Sequence, residues 1–145
     1  MGIEFSGLDG ILDNIAASEI AIKRAVRRGV QKGGKVIQAQ CKAMCPVDTG
    51  ELHDSIIEQT SGDGEGEYTS EVGPTAPHGI HVELGTGLYA KNGAGRQTPW
   101  RYQDAKGQWH TASGQPPQPY MEPGFEAGKG EAVEVLREEV RNAIN

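Results

Sequence analysis

The sequence predicts an α+β fold, with a long N-terminal helix and a C-terminal helix packed on a small antiparallel sheet and a hairpin or arm protruding from it. Three observations carry this. Ile22, Val26, Val30, Gly33, Ile37, Cys41 and Met44 recur at steps of three or four, the period of one helical face. Two short runs flanking a glycine-rich stretch, Ile56–Thr60 and Tyr68–Gly73, have the length and alternation of paired strands. Helical spacing then returns from Phe125 to Ile144. Helices at the two ends with strands between them give α+β, not the alternation of a parallel sheet.

In chain order, residues 1–7 read as an extended lead-in. Leu8 to about Ala17 reads as a short helix with Leu8, Ile11, Leu12 and Ile15 on one face. Ser18 is suited to cap a second, longer helix. Pro46 ends that helix, because the residue before a proline avoids the α region. Gly29, Gly33 and Gly34 each cost about 1 kcal/mol relative to alanine inside a helix. They imply either close approach by another element or a break near Gly33–Gly34. Asp48 or Thr49 is placed to cap a short turn that runs to Ser55, and Gly50 permits a tight bend.

The loop Ser61–Gly66 is polar and glycine-rich. Ala76–Gly87 is too short to assign. Trp100–Gln103 and Gln108–Thr111 flank Asp104-Ala105-Lys106-Gly107, which predicts a second hairpin. Pro116, Pro117 and Pro119 form a stiff connector into the last helix. That helix has Phe125, Ala132, Val133, Leu136, Val140 and Ile144 on its apolar face. The 145 residues fit one domain, 1–145, with 88–119 as an extended arm or hairpin insertion.

Composition narrows the function classes. Hydrophobic residues make up 36% and there are 21 glycines, so the core is thin or is completed by a partner. The net charge is −6, unevenly spread. Ile20–Val47 has no acid, and it holds Lys23, Arg24, Arg27, Arg28, Lys32, Lys35 and Lys42. Glutamates dominate from Glu122 onward. Such ends suit complementary contacts within or between subunits. No apolar run is long enough to predict a signal peptide or a membrane span. Cys41 and Cys45 do not suggest a disulfide framework.

Candidate catalytic patterns are weak. Asp48-Thr49-Gly50 matches an aspartic-protease tripeptide, but it follows a helix and a proline rather than an apolar strand, so it reads as a cap and turn. His78, His81 and Glu83, with or without Cys41 and Cys45, lack a second ligand pair at a zinc-site spacing. Ser55 beside His53 is not a triad. No enzyme, cofactor or metal is expected.

Three segments in order resemble one family: Lys42-Ala43-Met44-Cys45-Pro46-Val47-Asp48-Thr49-Gly50-Glu51-Leu52-His53-Asp54-Ser55-Ile56, His81-Val82-Glu83-Leu84-Gly85-Thr86, and Gln115-Pro116-Pro117-Gln118-Pro119-Tyr120-Met121-Glu122-Pro123. They are similar to the neck or minor tail-component proteins of long-tailed bacteriophages, typified by gene product ten of phage HK ninety-seven. Gly124 and Cys45 depart from the family pattern, and 88–114 is a variable region. The resemblance implies a non-catalytic virion subunit, assembled in the bacterial host cytoplasm. It would form a homo-oligomeric ring at the head–tail junction that joins or completes the tail. The implied partners are other copies, head-closure, terminator or tail proteins, and DNA in the channel, with no membrane. Structural roles are implied for Pro46, Asp48, Thr49, Gly50, Leu52, Ser55, Glu83, Gly85, Thr86, Pro119 and Tyr120. Lys23, Arg24, Arg27, Arg28, Lys32 and Lys35 are expected to face a neighbour or DNA. The alternative is a nucleic-acid-binding module using the basic helix 23–42, with Trp100, Tyr102 and Trp109 available to stack on bases.

Overall fold

The computed structural model describes residues 8–47 and 50–144, with side chains from residue 16 onward. The lead-in expected at 1–7 and the cap expected at Asp48 or Thr49 lie outside the described residues. The elements are α1 (Leu8–Met44), α2 (Glu51–Ser55), β1 (Ile56–Gly62), β2 (Tyr68–Pro74), α3 (Gly79–Leu84), two 3-10 turns (Gly87–Tyr89, Lys91–Gly93), β3 (Trp100–Gln103), β4 (Trp109–Ala112) and α4 (Met121–Ile144). β1 pairs with β2, and β3 pairs with β4. The fold is α+β, as the order of patterns predicted.

One expected boundary is absent. α1 is a single helix of 37 residues that runs through Ser18 and through Gly33–Gly34. No proline occurs before Pro46, and Ala16, Ala17, Ala21 and Ala25 favour continuation across the supposed cap. Pro46 does mark the end: the helix stops at Met44, and the Cys45 N–H closes the last turn on the Lys42 carbonyl at 3.3 Å.

The chain forms two compact units. The first comprises Met1–Val36, Glu58–Glu71 and Lys129–Asn145; the second comprises Ile37–Ile57 and Val72–Gly128.

In the first unit, the glycines of α1 admit neighbours. A Cβ on Gly33 would lie 3.1 Å from the Ala132 carbonyl oxygen, and one on Gly29 would run into Leu136. A Cβ on Gly34 would strike Ser70 and Glu58 of the β1–β2 hairpin. The close-approach reading of these glycines is therefore the right one. Across the hairpin, the Ser70 hydroxyl donates to the Glu58 carboxylate at 2.7 Å. The loop is organised by Asp63, whose Oδ1 accepts the N–H groups of Glu65 (2.7 Å) and Glu67 (3.1 Å). These bonds hold the Asp63 carboxyl below its ordinary pKa.

In the second unit, Cys41, Cys45, Leu52, Ile56 and Tyr120 form the buried core, flanked by Ile37, Val72, Ala76, Val82 and Met121. The Gln38 side chain donates to the Ile56 carbonyl at 2.8 Å, tying α1 to the start of β1. A Cβ on Gly124 would lie 2.6 Å from Cys41 Cα, and one on Gly128 would lie 3.3 Å from Ile37 Cα. Gly124 thus fills a place where the α1 backbone leaves no room for a side chain.

The apolar face expected on α4 holds at Ala132 and Leu136 and is corrected elsewhere by these contacts. Gly124, Gly128, Ala132 and Leu136 face α1 residues, each within its own unit, whereas Phe125, Val133 and Ile144 are 48%, 46% and 66% exposed. Met44, expected on the inward stripe of α1, is also exposed, and Ala25 is buried instead. Where backbones approach closely, the smallest residues mark the contact, so a count of apolar side chains misplaces it.

The second hairpin has the expected strands. Trp100 pairs with Ala112, Arg101 with Thr111, Tyr102 with His110, and Gln103 with Trp109. Asp104 anchors its turn: Oδ1 accepts the N–H groups of Lys106 and Gln108, each at 2.9 Å, and Oδ2 pairs with His110 Nε2 at 2.7 Å.

Candidate functional site

The three motif segments converge in the second unit. Gly50 has φ 84°, a left-handed conformation that favours glycine, and its carbonyl accepts the Asp54 N–H at 2.9 Å. This turn directs Leu52 inward, where it is buried beside Ile56. Ser55 Oγ donates to the Leu52 carbonyl at 2.8 Å, and the Ser55 carbonyl accepts the Thr75 N–H at 2.9 Å. Ser55 is therefore a structural bracket, while the His53 ring pairs with Asp54.

Glu83 and Tyr120 join the other two segments. The Glu83 carboxylate accepts the backbone N–H groups of Tyr120 (2.7 Å), Met121 (2.9 Å) and Glu122 (3.1 Å). These belong to the start of α4, whose first amides have no partner within the helix. A carboxylate there also complements the positive end of the helix dipole. Tyr120 is fully buried, and its hydroxyl donates to the Gly79 carbonyl at 2.9 Å. Burial is the main cause that pushes its phenol up to about 12.

Gly85 and Thr86 hold the proline-rich connector. Thr86 N–H donates to the Gln115 carbonyl at 2.9 Å, and Gln115 N–H donates back to Thr86 Oγ1 at 2.9 Å. Gln118 N–H reaches the Val82 carbonyl at 2.8 Å. Gly85 has φ 77°, and a Cβ there would lie 2.8 Å from Pro117 Cδ. Pro119 is exposed immediately before Tyr120.

Apart from the exposed Pro119, the described motif residues thus serve packing, chain direction or hydrogen bonding. Among the described residues, no group of three or more His, Cys, Asp or Glu is placed to hold a metal ion. Glu83 is committed to the amides of α4, away from the ligand role weighed for it beside His78 and His81. Cys41 and Cys45 are free and buried, and desolvation raises the pKa of both thiols.

The basic face of α1 is divided in two. Lys23 pairs with Glu19 and Glu65, each at 3.1 Å. Arg28 pairs with Glu139 at 3.3 Å, and Lys32 pairs with the same carboxylate. These two cations hold the Glu139 pKa below its ordinary value. Arg24, Arg27 and Lys35 are exposed and have no ion-pair partner among the described residues.

Two features escaped sequence reasoning. The role of Glu83 as a cap was invisible because 37 residues separate it from Tyr120. The cation–π contacts of Arg96 with Trp100 and of Arg101 with Trp109, at 5.8 and 5.3 Å from guanidinium carbon to ring centroid, were likewise not read from the sequence.

No helix among the described residues is long and apolar enough to cross a membrane. A family model described as "Bacteriophage HK97-gp10, putative tail-component" matches residues 9–85, just over half of the 145. The match takes in α1 from Asp9 onward and the Pro46–Ile56 segment, and ends at Gly85. No curated protein and no solved structure matches the chain. With α1, the Pro46–Ile56 turn and the approach to Gly85 all inside that match, the chain belongs to the HK97-gp10-like family of bacteriophage tail components.

Proposed function

We infer that this chain works as a single domain, 1–145, in a homo-oligomeric ring at the head–tail junction of a tailed phage or prophage, where it joins or completes the tail. The observation that carries the reading is the contrast between core and surface. The described side chains bury only Ala25, Cys41, Cys45, Leu52, Ile56 and Tyr120 as a hydrophobic core, while Val47, Ile80, Tyr89, Trp109 and Ile144 are each more than half exposed. An isolated chain loses hydrophobic stabilisation by leaving such groups in water, and contact with neighbours recovers it. A cyclic ring satisfies each copy by placing one patch against the complementary patch of the next. The motif residues serve as the internal frame, and no catalytic role is assigned to any of them.

Arg24, Arg27 and Lys35 support a further contact, either with an acidic neighbour or with DNA in the channel. With no ion-pair partner among the described residues, they offer their charge to phosphates. The 88–119 segment serves as an arm toward another protein. Head-closure, terminator and other tail proteins are the partners this position offers, with no membrane involved.

Native mass measurement and electron microscopy of virions that encode this chain test the reading. A closed ring at the junction is expected. Absence from purified virions, with the chain free in the host, would overturn it and favour the nucleic-acid-binding alternative on helix 23–42.

A further inference from the structure

The arm carries its own recognition chemistry. Residues 88–119 hold Lys91, Arg96, Arg101 and Lys106 against Asp104 alone, in a chain whose net charge is −6. Lys91 is paired with Glu122 at 3.8 Å, and Asp104 is engaged by His110. Arg96 and Arg101 instead lie over Trp100 and Trp109. A guanidinium over an indole ring is drawn to the negative face of the ring while its N–H groups can still donate to a carboxylate. Arg96 Nε is used by Thr98 at 3.1 Å, which leaves its terminal nitrogens. Trp109 is 59% exposed and Tyr102 is 47% exposed. A two-stranded hairpin is marginal alone in water, so one that displays this much aromatic surface gains from being covered.

The same chain carries a complementary surface. Ile56–Pro74 contains Glu58, Asp63, Glu65, Glu67 and Glu71 and no lysine or arginine. Glu58 is engaged by Ser70, and Glu65 by Lys23. Glu67 and Glu71 are exposed and have no side-chain partner among the described residues. Asp63, its pKa lowered by backbone N–H groups, adds a persistent negative charge at the same loop.

We propose that the β3–β4 arm of one copy docks on the β1–β2 hairpin of a second copy, with Arg96 and Arg101 donating to Glu67 and Glu71. This contact deepens the ring reading and rests on it, because a head-to-tail contact between unlike patches is what closes a ring. Arginine–carboxylate pairs set register and orientation, and the tryptophans beneath them supply the apolar area. A nucleic-acid partner fits less well, since it would engage the cations of the arm and give no role to Glu67 and Glu71.

The test uses the full chain and two charge-reversed variants, R96E/R101E and E67K/E71K, each checked for native circular dichroism. Sedimentation velocity is run over a concentration series at low and high salt. Wild-type chains should self-associate in a salt-sensitive manner, and each variant should do so at least about tenfold more weakly. An equimolar mixture of the two variants should associate, because one supplies an intact arm and the other an intact hairpin. A mixture that stays monomeric, or a wild type that is monomeric throughout the series, would overturn the proposal. So would duplex-DNA binding lost in R96E/R101E while its sedimentation matches wild type. Virions that assemble complete rings from R96E/R101E would refute this contact and leave the tail-ring reading intact. Absence of the wild-type chain from virions would remove that reading instead.

Discussion

Glu83 caps the N-terminus of α4 across 37 residues of sequence, its carboxylate accepting the N–H of Tyr120 at 2.7 Å. The same carboxylate takes the next two amides, and because residue 123 is a proline with no N–H, one side chain satisfies all three amides that the helix start leaves open. Replacing Glu83 by alanine should destabilise the chain by about 1–2 kcal/mol, the usual cost of losing a cap. Glu83→Gln keeps one acceptor oxygen and should lose less. Urea denaturation followed by far-UV circular dichroism measures both. Equal midpoints for wild type and E83A would show that the cap contributes nothing.

Tyr120 tests the adjoining bond. Tyr120→Phe keeps the ring and removes only the donor to the Gly79 carbonyl, at a cost of about 1–2 kcal/mol for an acceptor left buried. Tyr120→Ala should cost about 3–5 kcal/mol, because a cavity is added. In absorbance titration, a phenol absorbance step that is lost in Tyr120→Phe should appear only near pH 12. A step lost in that variant at the ordinary phenol pH of 10 would contradict the buried placement.

Two glycines of α4 should respond oppositely to the same substitution. Gly124→Ala forces a methyl group against the Cys41 backbone and should lower the melting temperature. Gly130→Ala meets nothing within 4 Å and should raise stability by about 0.5–1 kcal/mol through better helix propensity. If both variants were stabilised, the close helix contact at Gly124 would be refuted.

The Glu139 pairing has a pH signature. Its folded pKa lies below the ordinary 4.5, so ionised Glu139 contributes stability above that value. The contribution is lost as pH falls through the depressed folded value. Because the site is solvent-accessible, the effect should be small and should weaken with salt. Stability profiles of wild type and Glu139→Gln should converge at acid pH and separate toward neutrality. Parallel curves across that window would exclude a role for the pair.

Arg24 and Arg27 of α1 make the last prediction. Arg24→Glu with Arg27→Glu should leave folding intact, since neither side chain has an ion-pair partner among the described residues, yet should reduce incorporation into virions. Arg28 is a poorer choice because it is already engaged with Glu139. Normal incorporation of the double variant, read by mass spectrometry of purified particles, would remove this face from the assembly surface.

Periodicity and punctuation in the sequence determined the order of elements. Pro46 ends α1 by local sterics, the alternating runs form hairpins, and Gly107 and Asp104 shape a turn, all within a few neighbouring residues. The three ordered segments were also enough to identify the family. Only tertiary structure decided which face of α4 turns inward, because Gly124 and Gly128 carry no hydrophobic signal and are buried through backbone approach. Only tertiary structure brought Glu83 to Tyr120 and paired Lys23, Arg28 and Lys32 with distant glutamates. Those outcomes depend on which distant atoms meet, and no local pattern encodes a contact between residues 37 or more than 100 positions apart.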